Sequence, residues 1–269
     1  MIDFVGPARA LGTEDVRTIA GYLGCHVAAV RAVLAIEAAG NGFGPDKRPI
    51  ILNEPHHFYR QLGPGPKRNE AVRRGLAYQA WGAKPYPRTQ AARYAWLADA
   101  MGIDEAAALK SCSWGLGQVM GLNHQAAGFN TVQDFVRAMT ISEGAQLYAM
   151  ARFIVTNDLQ LALRRLDWRA FARGYNGSGY EKNAYHTKLA AAYARRPAAE
   201  RVTPPPASAA DLNAMVAMLA PPLPAPKPVP APAPVPPPPD DHGPTRAENA
   251  TTAPGWLARF FLWLSGRSA

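Results

Sequence analysis

Residues 27–45, VAAVRAVLAIEAAGNGFGP, decide the fold: a run of small and apolar residues carries one acid, Glu37, just before it breaks at Gly40. Val30, Val33, Leu34 and Glu37 stand at i, i+3, i+4 and i+7, so on a helix the carboxylate shares a face with three branched apolar side chains. Two readings are open here. The acid is either a helix-end residue that bends out to water, or a carboxyl kept on an apolar face for its chemistry.

On either side of that segment the periodic runs read mostly as helices. Thr13 caps a first helix through Leu23, and positions 25–38 form the second, which ends at Gly40. RPIILNE (48–54), flanked by Pro49 and Pro55, suits a brief strand or an extended loop. A long helix follows Pro87 and runs to Met101, and Asp104 starts another over DEAAALKS. Helical patterns continue at TVQDFVRAMT, SEGAQLYAMARFIVTN, LQLALRRL, WRAFARGY and YEKNAYHTKLAAAYARR. The expectation is a mostly α single domain with a small irregular or β region between residues 40 and 87.

Proline marks where that domain stops. Sixteen of the 26 prolines fall in the 42 residues between Val202 and Thr245, a composition that favours extended polyproline conformations and offers little to bury. Residues 1–202 are therefore the expected folded domain, large enough for one good core. Residues 203–244 are expected to be a disordered Pro-rich linker. Within it Leu212, Met215, Val216 and Leu219 give a short amphipathic helix at 211–219. Residues 245–269 form a tail with an apolar, cationic helix over 255–265. Seven large apolar side chains crowd positions 256–264, with Arg259 and Arg267 as the segment's charges. That is too short to span a bilayer, but two tryptophans with flanking arginines suit an interfacial helix at a membrane surface. Docking onto the domain or a partner is the alternative.

The charge divides at the same place. The chain carries +9; residues 1–202 hold 25 Lys+Arg against 16 Asp+Glu, and the remainder holds four of each and is neutral. A basic body fits an anionic partner such as nucleic acid, a phospholipid surface or a bacterial envelope polymer. No Lys/Arg-rich block with interleaved aromatics is present, so nucleic acid is not expected to be that partner. Cys25 and Cys112 make no disulfide scaffold and no metal-ligand spacing, and read as small buried apolar residues. His56 and His57 follow Glu54 closely but come without a HExxH helix or a Cys pair, so neither a metal nor a cofactor is expected. The first residues lack a basic start followed by a long apolar core, and no stretch is long enough to cross a membrane. The chain is expected to accumulate in the cytoplasm of the cell that makes it, as a monomer.

Two further segments place glycines and polar groups where a helical core does not want them. SCSWGLGQVMGLN (111–123) sets three glycines around Gln118, which suits either a close crossing of elements or a backbone approaching a ligand. ARGYNGSGY (172–180) ends a helix at Tyr175 and Asn176 before a glycine turn, where an ordinary surface Asn is the plain alternative.

An acid at a helix C-terminus, then Gly-Leu-x-Gln-x-Met, then Tyr-Asn-x-x-Gly, resembles the pattern of soluble lytic transglycosylases and goose-type lysozymes. The wider match, from AIEAAGNGF through ILNEPHHFY and SCSWGLGQVMGLN to YNGSGYEKNAY, resembles the N-acetylmuramidase family of bacteriophage endolysins and related bacterial proteins. It covers residues 12–195 and implies a lysozyme-like fold, bacterial peptidoglycan as partner, and cleavage of its glycan strand between N-acetylmuramic acid and N-acetylglucosamine. It also implies an enzyme made in the host cytoplasm and released to the wall through membrane holes formed by another protein.

By the same resemblance Glu37 matches the catalytic acid, and Gln118, Tyr175 and Asn176 match groups that line the sugar cleft. Trp114 and Tyr180 are candidate sugar-stacking surfaces, with a core role as the alternative for each. Two features depart from the transglycosylase pattern: AAGNGF follows the acid in place of Ser, and about 80 residues separate Glu37 from Gln118. Both fit the muramidase family better, and they leave open whether the reaction ends with water or, as in a lytic transglycosylase, with an internal sugar hydroxyl. Glycoside hydrolysis needs a second carboxylate, for which Asp46 and Glu54 are the candidates. A structural role for Glu54, bonding His56, His57 or a helix N-terminus, is the other reading.

Overall fold

The computed structural model describes residues 2–37, 41–208 and 210. The helices expected at 211–219 and 255–265, and the linker beyond residue 210, lie outside the described residues. Within them the chain is mostly helical with one small antiparallel sheet.

Helix α1 (Thr13–Leu23) starts where expected, but Gly12 rather than Thr13 stands at its N-cap, and the Gly12 N–H donates to the Asp15 carboxylate at 2.7 Å. It ends at Gly24, which takes the left-handed conformation that closes a helix most cheaply in glycine. Helix α2 (Val27–Glu37) packs against α1 and, more extensively, against α11 (Tyr185–Ala194). The helix α8 (Glu143–Thr156) is apolar nearly all round and sits inside the domain against α1 and α7 (Val132–Met139).

Side-chain caps set many helix starts. Thr89 accepts from the Ala92 N–H ahead of α5 (Gln90–Met101), and Asp104 from Ala107 ahead of α6 (Glu105–Lys110). Thr131, Ser142 and Asp167 do the same for α7, α8 and α10 (Trp168–Asn176). The short α9 (Gln160–Arg164) joins α8 to α10. Two helices stand in the region expected to be irregular: α3 (Pro55–Leu62) and α4 (Pro66–Arg73). Each opens on a proline, which suits the first helical turn because its missing N–H has no intrahelical partner to lose.

The sheet has the order β1-β2-β3, with β1 (Ile51–Asn53) opposite β2 (Cys112–Trp114) and β2 opposite β3 (Val119–Met120). The brief strand expected around ILN is β1; the hairpin β2–β3 is an addition to the sequence reading. Helix α5 closes the free edge of β1. Gln90 accepts from the Ile51 N–H (3.0 Å) and donates to its carbonyl (3.1 Å), while the buried Arg93 donates to the Ile51 and Pro87 carbonyls at 2.9 and 3.0 Å.

The core collects Ile19, Leu23, Val33, Phe58, Leu97, Leu109, Phe135 and Phe171. Cys25 and Cys112 are buried free thiols, both pushed up to about 12 chiefly by burial, which keeps them protonated. Among the described residues no single helix is long and apolar enough to cross a membrane. The chain stays on the body across the expected boundary at 202: the Val27 N–H donates to the Val202 carbonyl (3.3 Å), and a Cβ on Gly21 would sit 2.5 Å from the Pro205 oxygen.

Candidate active site

Three segments far apart in sequence meet beside the end of α2. Glu37 is the last residue of that helix, one turn beyond Val33 and Leu34. Val33 is buried, whereas Leu34 and Ala35 line an open groove of about 340 Å³ that also touches Leu11, Leu116, Glu143, Arg31 and Arg196. Position 37 closes the same helix, two residues beyond Ala35.

The hairpin supplies the next wall. Gly115, Leu116, Gly117 and Gln118 form the turn between β2 and β3, and both Gly115 (φ 64°) and Gln118 (φ 46°) adopt left-handed backbone. Gln118 is held in that unfavourable conformation by its own side chain. Its amide donates to the carbonyls of Gly115 (2.7 Å) and Ile50 (3.1 Å) and accepts from the Ser113 hydroxyl (2.8 Å). The residue matched to a cleft group thus turns its amide inward and ties β1 to the hairpin.

Tyr175 and Asn176 end α10, both buried. Tyr175 stacks on Phe171 with ring centroids 5.3 Å apart, and its hydroxyl reaches the Gly117 carbonyl at 3.4 Å, which brings the third segment onto the second. Neither proposed stacking aromatic offers a free face. Trp114 is fully buried against Phe4, its indole N–H donating to the Leu109 carbonyl at 3.1 Å. Tyr180 is buried with its hydroxyl donating to Glu181 at 2.9 Å. A ring that stacks on a sugar must show it a face, so both belong to the core.

The candidate carboxylates differ sharply. Asp46 sits at the tip of a small turn, where its side chain receives hydrogen bonds from the Arg48 guanidinium (2.6 Å) and N–H (3.2 Å). Partial burial pushes its carboxyl up, but those bonds and the Arg48 charge outweigh it and hold Asp46 below the ordinary range. Glu54 is 1 % exposed at the N-cap of α3. One of its oxygens accepts from the Tyr86 hydroxyl (2.7 Å) and lies 3.2 Å from His56 Nδ1, while Tyr86 in turn accepts from the Trp81 N–H at 3.0 Å. Burial, with the Glu54 charge adding to it, pushes the nearby Tyr78 phenol up to about 12. Among the described residues no three His, Cys, Asp or Glu side chains are grouped to hold a metal ion.

Glu143 and Gln146, in the first turn of α8, escaped the sequence reading. Glu143 accepts from the backbone N–H groups of Gly42 (2.6 Å) and Leu11 (2.8 Å), one on each oxygen. Gln146 accepts from the Leu116 N–H (2.6 Å) and donates to the carbonyls of Met139 (2.8 Å) and Gly42 (3.3 Å). One helical turn thus fastens the loop after Glu37 to the GLGQ turn. The signal was faint: a polar pair following a Ser cap looks like ordinary helix capping.

The loop after α2, the glycine-rich hairpin and the Tyr-Asn helix end, the three segments on which the resemblance to lysozyme-like glycan-cleaving enzymes was drawn, are thus joined in one region of the fold. The profile of the N-acetylmuramidase family matches residues 26–196, a segment that contains all eight site positions expected from the sequence, together with Glu143 and Gln146. The chain belongs to the N-acetylmuramidase family and is a peptidoglycan hydrolase. Among solved structures it is similar to the crystal structure of Burkholderia AP3 phage endolysin, with 41% sequence identity and a TM-score of 0.64, covering 70% of this chain and 71% of that one. No curated protein matches it.

Proposed function

We propose that the chain is an endolysin that cleaves the glycan strand between N-acetylmuramic acid and N-acetylglucosamine, with Glu37 as the general acid. The observation that carries this reading is the groove along the C-terminal half of α2: the family match covers its lining apart from Leu11, and Glu143 and Gln146 gather around it loops from three parts of the chain. In this scheme the Glu37 proton goes to the glycosidic oxygen as the sugar bond breaks, and a second carboxylate activates water or attacks the sugar. Asp46 and Glu54 are the two candidates for that role: Asp46 is open to solvent but paired with Arg48, and Glu54 is buried with Tyr86 and His56 on one oxygen. Gln118, Tyr175 and Asn176 then shape the cleft from beneath. The similar phage endolysin supports a role in lysing a bacterial host, and the cationic, aromatic segment at 256–264 supports contact with a membrane surface.

Glu37→Gln keeps the size of the side chain and removes the transferable proton. Turnover on purified peptidoglycan should fall at least about a hundredfold, the usual worth of general acid catalysis, with the melting temperature unchanged. Retention of more than a tenth of the activity would mean that another group is the acid. Mass spectrometry of the released fragments identifies the reaction: reducing N-acetylmuramic acid ends mark hydrolysis of the proposed bond, and anhydro ends mark an internal transfer.

A further inference from the structure

We infer that Arg31 and Arg196 form a carboxylate-binding rim on the groove along α2, which receives the acidic peptide stem of peptidoglycan and so selects stem-bearing glycan. The inference rests on reading that groove as the active site.

The rim is built by one acid. Glu200, on the short turn Ala198–Glu200, places one oxygen 3.2 Å from Arg31 Nε and accepts a hydrogen bond from Arg196 Nε at 3.0 Å on the other. The two guanidinium groups are thus held side by side, one from the middle of α2 and one just past the end of α11. Two cations on one anion leave the cluster at +1. Their Nε atoms face Glu200, and among the described residues their Nη groups make no hydrogen bond or ion pair. All three side chains are between a quarter and a third exposed, so the rim is wet at its outer face and shielded at its inner one. The groove's own acid, Glu143, keeps its negative charge, but a backbone N–H holds each of its oxygens and, among the described residues, it forms no ion pair with either arginine, so both forks stay available to an incoming carboxylate.

Substrate chemistry says what such a rim meets. The sugars of an intact glycan strand are uncharged: their amines are acetylated, and the lactyl carboxyl of each stem-bearing muramic acid is consumed in the amide to its peptide. The negative charge of the strand therefore sits on the stem carboxylates. Paired guanidinium forks suit a carboxylate through parallel N–H donors, which a lone ammonium cannot offer.

The test compares purified peptidoglycan, freed of other wall polymers, with the same material after its carboxylates have been converted to primary amides. The wild type should show a KM about five- to tenfold lower on the native polymer. Arg196→Gln, and independently Arg31→Gln, should raise KM on native peptidoglycan by about that factor, change kcat less than twofold, and have no effect on the amidated polymer. Arg196→Lys should recover part of the loss. Equal KM of the wild type on both polymers, or the same defect of the variants on both, would overturn the inference. So would a defect that persists on strands stripped of their stems, where only lactyl carboxylates remain. Cosedimentation with native and amidated polymer reads the contact without turnover, so an active Glu37→Gln variant would sink the active-site reading while this measurement still judged the rim.

Discussion

At the scale of single residues, the matched polar positions act on backbone as much as on any ligand. Gln118 is the plainest case. Replacing it by Ala removes three hydrogen bonds, leaves the buried Ser113 hydroxyl without its acceptor and the Ile50 and Gly115 carbonyls with only their backbone donors, and keeps φ 46° at a position no side chain then supports. The cost should be about 3 kcal/mol, seen as a lower denaturant midpoint at unchanged slope. The two candidate carboxylates should separate cleanly. Asp46 is held below its ordinary range by Arg48, so its contribution is present above its unfolded value and is lost as pH falls through the lower folded one. It is exposed at a turn, and Asp46→Asn should cost under about 1 kcal/mol at neutral pH and leave turnover intact. Glu54→Gln keeps the volume of the side chain and should abolish turnover at least about a hundredfold if the carboxylate is the base or nucleophile. A variant that loses stability but keeps activity per folded molecule would assign Glu54 to the Tyr86–His56 cluster instead.

At the scale of elements, sequence was legible where local chemistry decides and silent where distant parts do. The helices capped by Thr89, Asp104, Thr131, Ser142 and Asp167 announce themselves through a cap followed by an apolar stripe. Helices α3 and α4 did not, because each is only eight residues and lies between prolines in a polar, basic stretch. Strand β1 was marked by its flanking prolines, but β2 and β3, three and two residues long, lie in a glycine-rich stretch too short for any alternation to reveal them. In the candidate site, the acid-ended helix was legible from periodicity, but the bracing by Glu143 and Gln146 joins residues 30 to 132 positions apart and leaves no periodic trace. Gly115 shows what that bracing requires. It sits at φ 64°, and a Cβ there would come 2.4 Å from Gln146 Cδ. Gly115→Ala should therefore destabilise by about 1–3 kcal/mol from backbone strain and displacement of Gln146. Because Gln146 also grips Leu116 and Gly42, activity should fall further than the loss of folded protein explains; activity per folded molecule equal to wild type would separate the hairpin from the site.

At the scale of the whole molecule, catalysis and delivery are expected to divide along the chain. The family match ends at residue 196, and the described body continues through contacts of Val202 with α2 and of residues 205–207 with α1. A truncation at 201 would strip those contacts and expose α1 around Gly21, confusing loss of the tail with loss of stability. A chain ending at Ser208 keeps them. It retains all +9 of the net charge, since the eight charged side chains beyond residue 202 all lie after Ser208 and balance four against four. It should therefore digest purified peptidoglycan within about twofold of the full chain, because attraction to an anionic polymer follows the charge of the body. Membrane contact should behave differently. If positions 256–264 lie in an interface, their aromatic and aliphatic side chains supply the burial, and truncation or Phe261→Glu should weaken binding to vesicles containing anionic lipid. Lysis by protein added outside intact, outer-membrane-bearing cells should slow in parallel. Equal vesicle binding by the full and truncated chains would remove the tail from the membrane, and a Ser208-terminated chain that folds but fails on purified peptidoglycan would make the tail part of the enzyme.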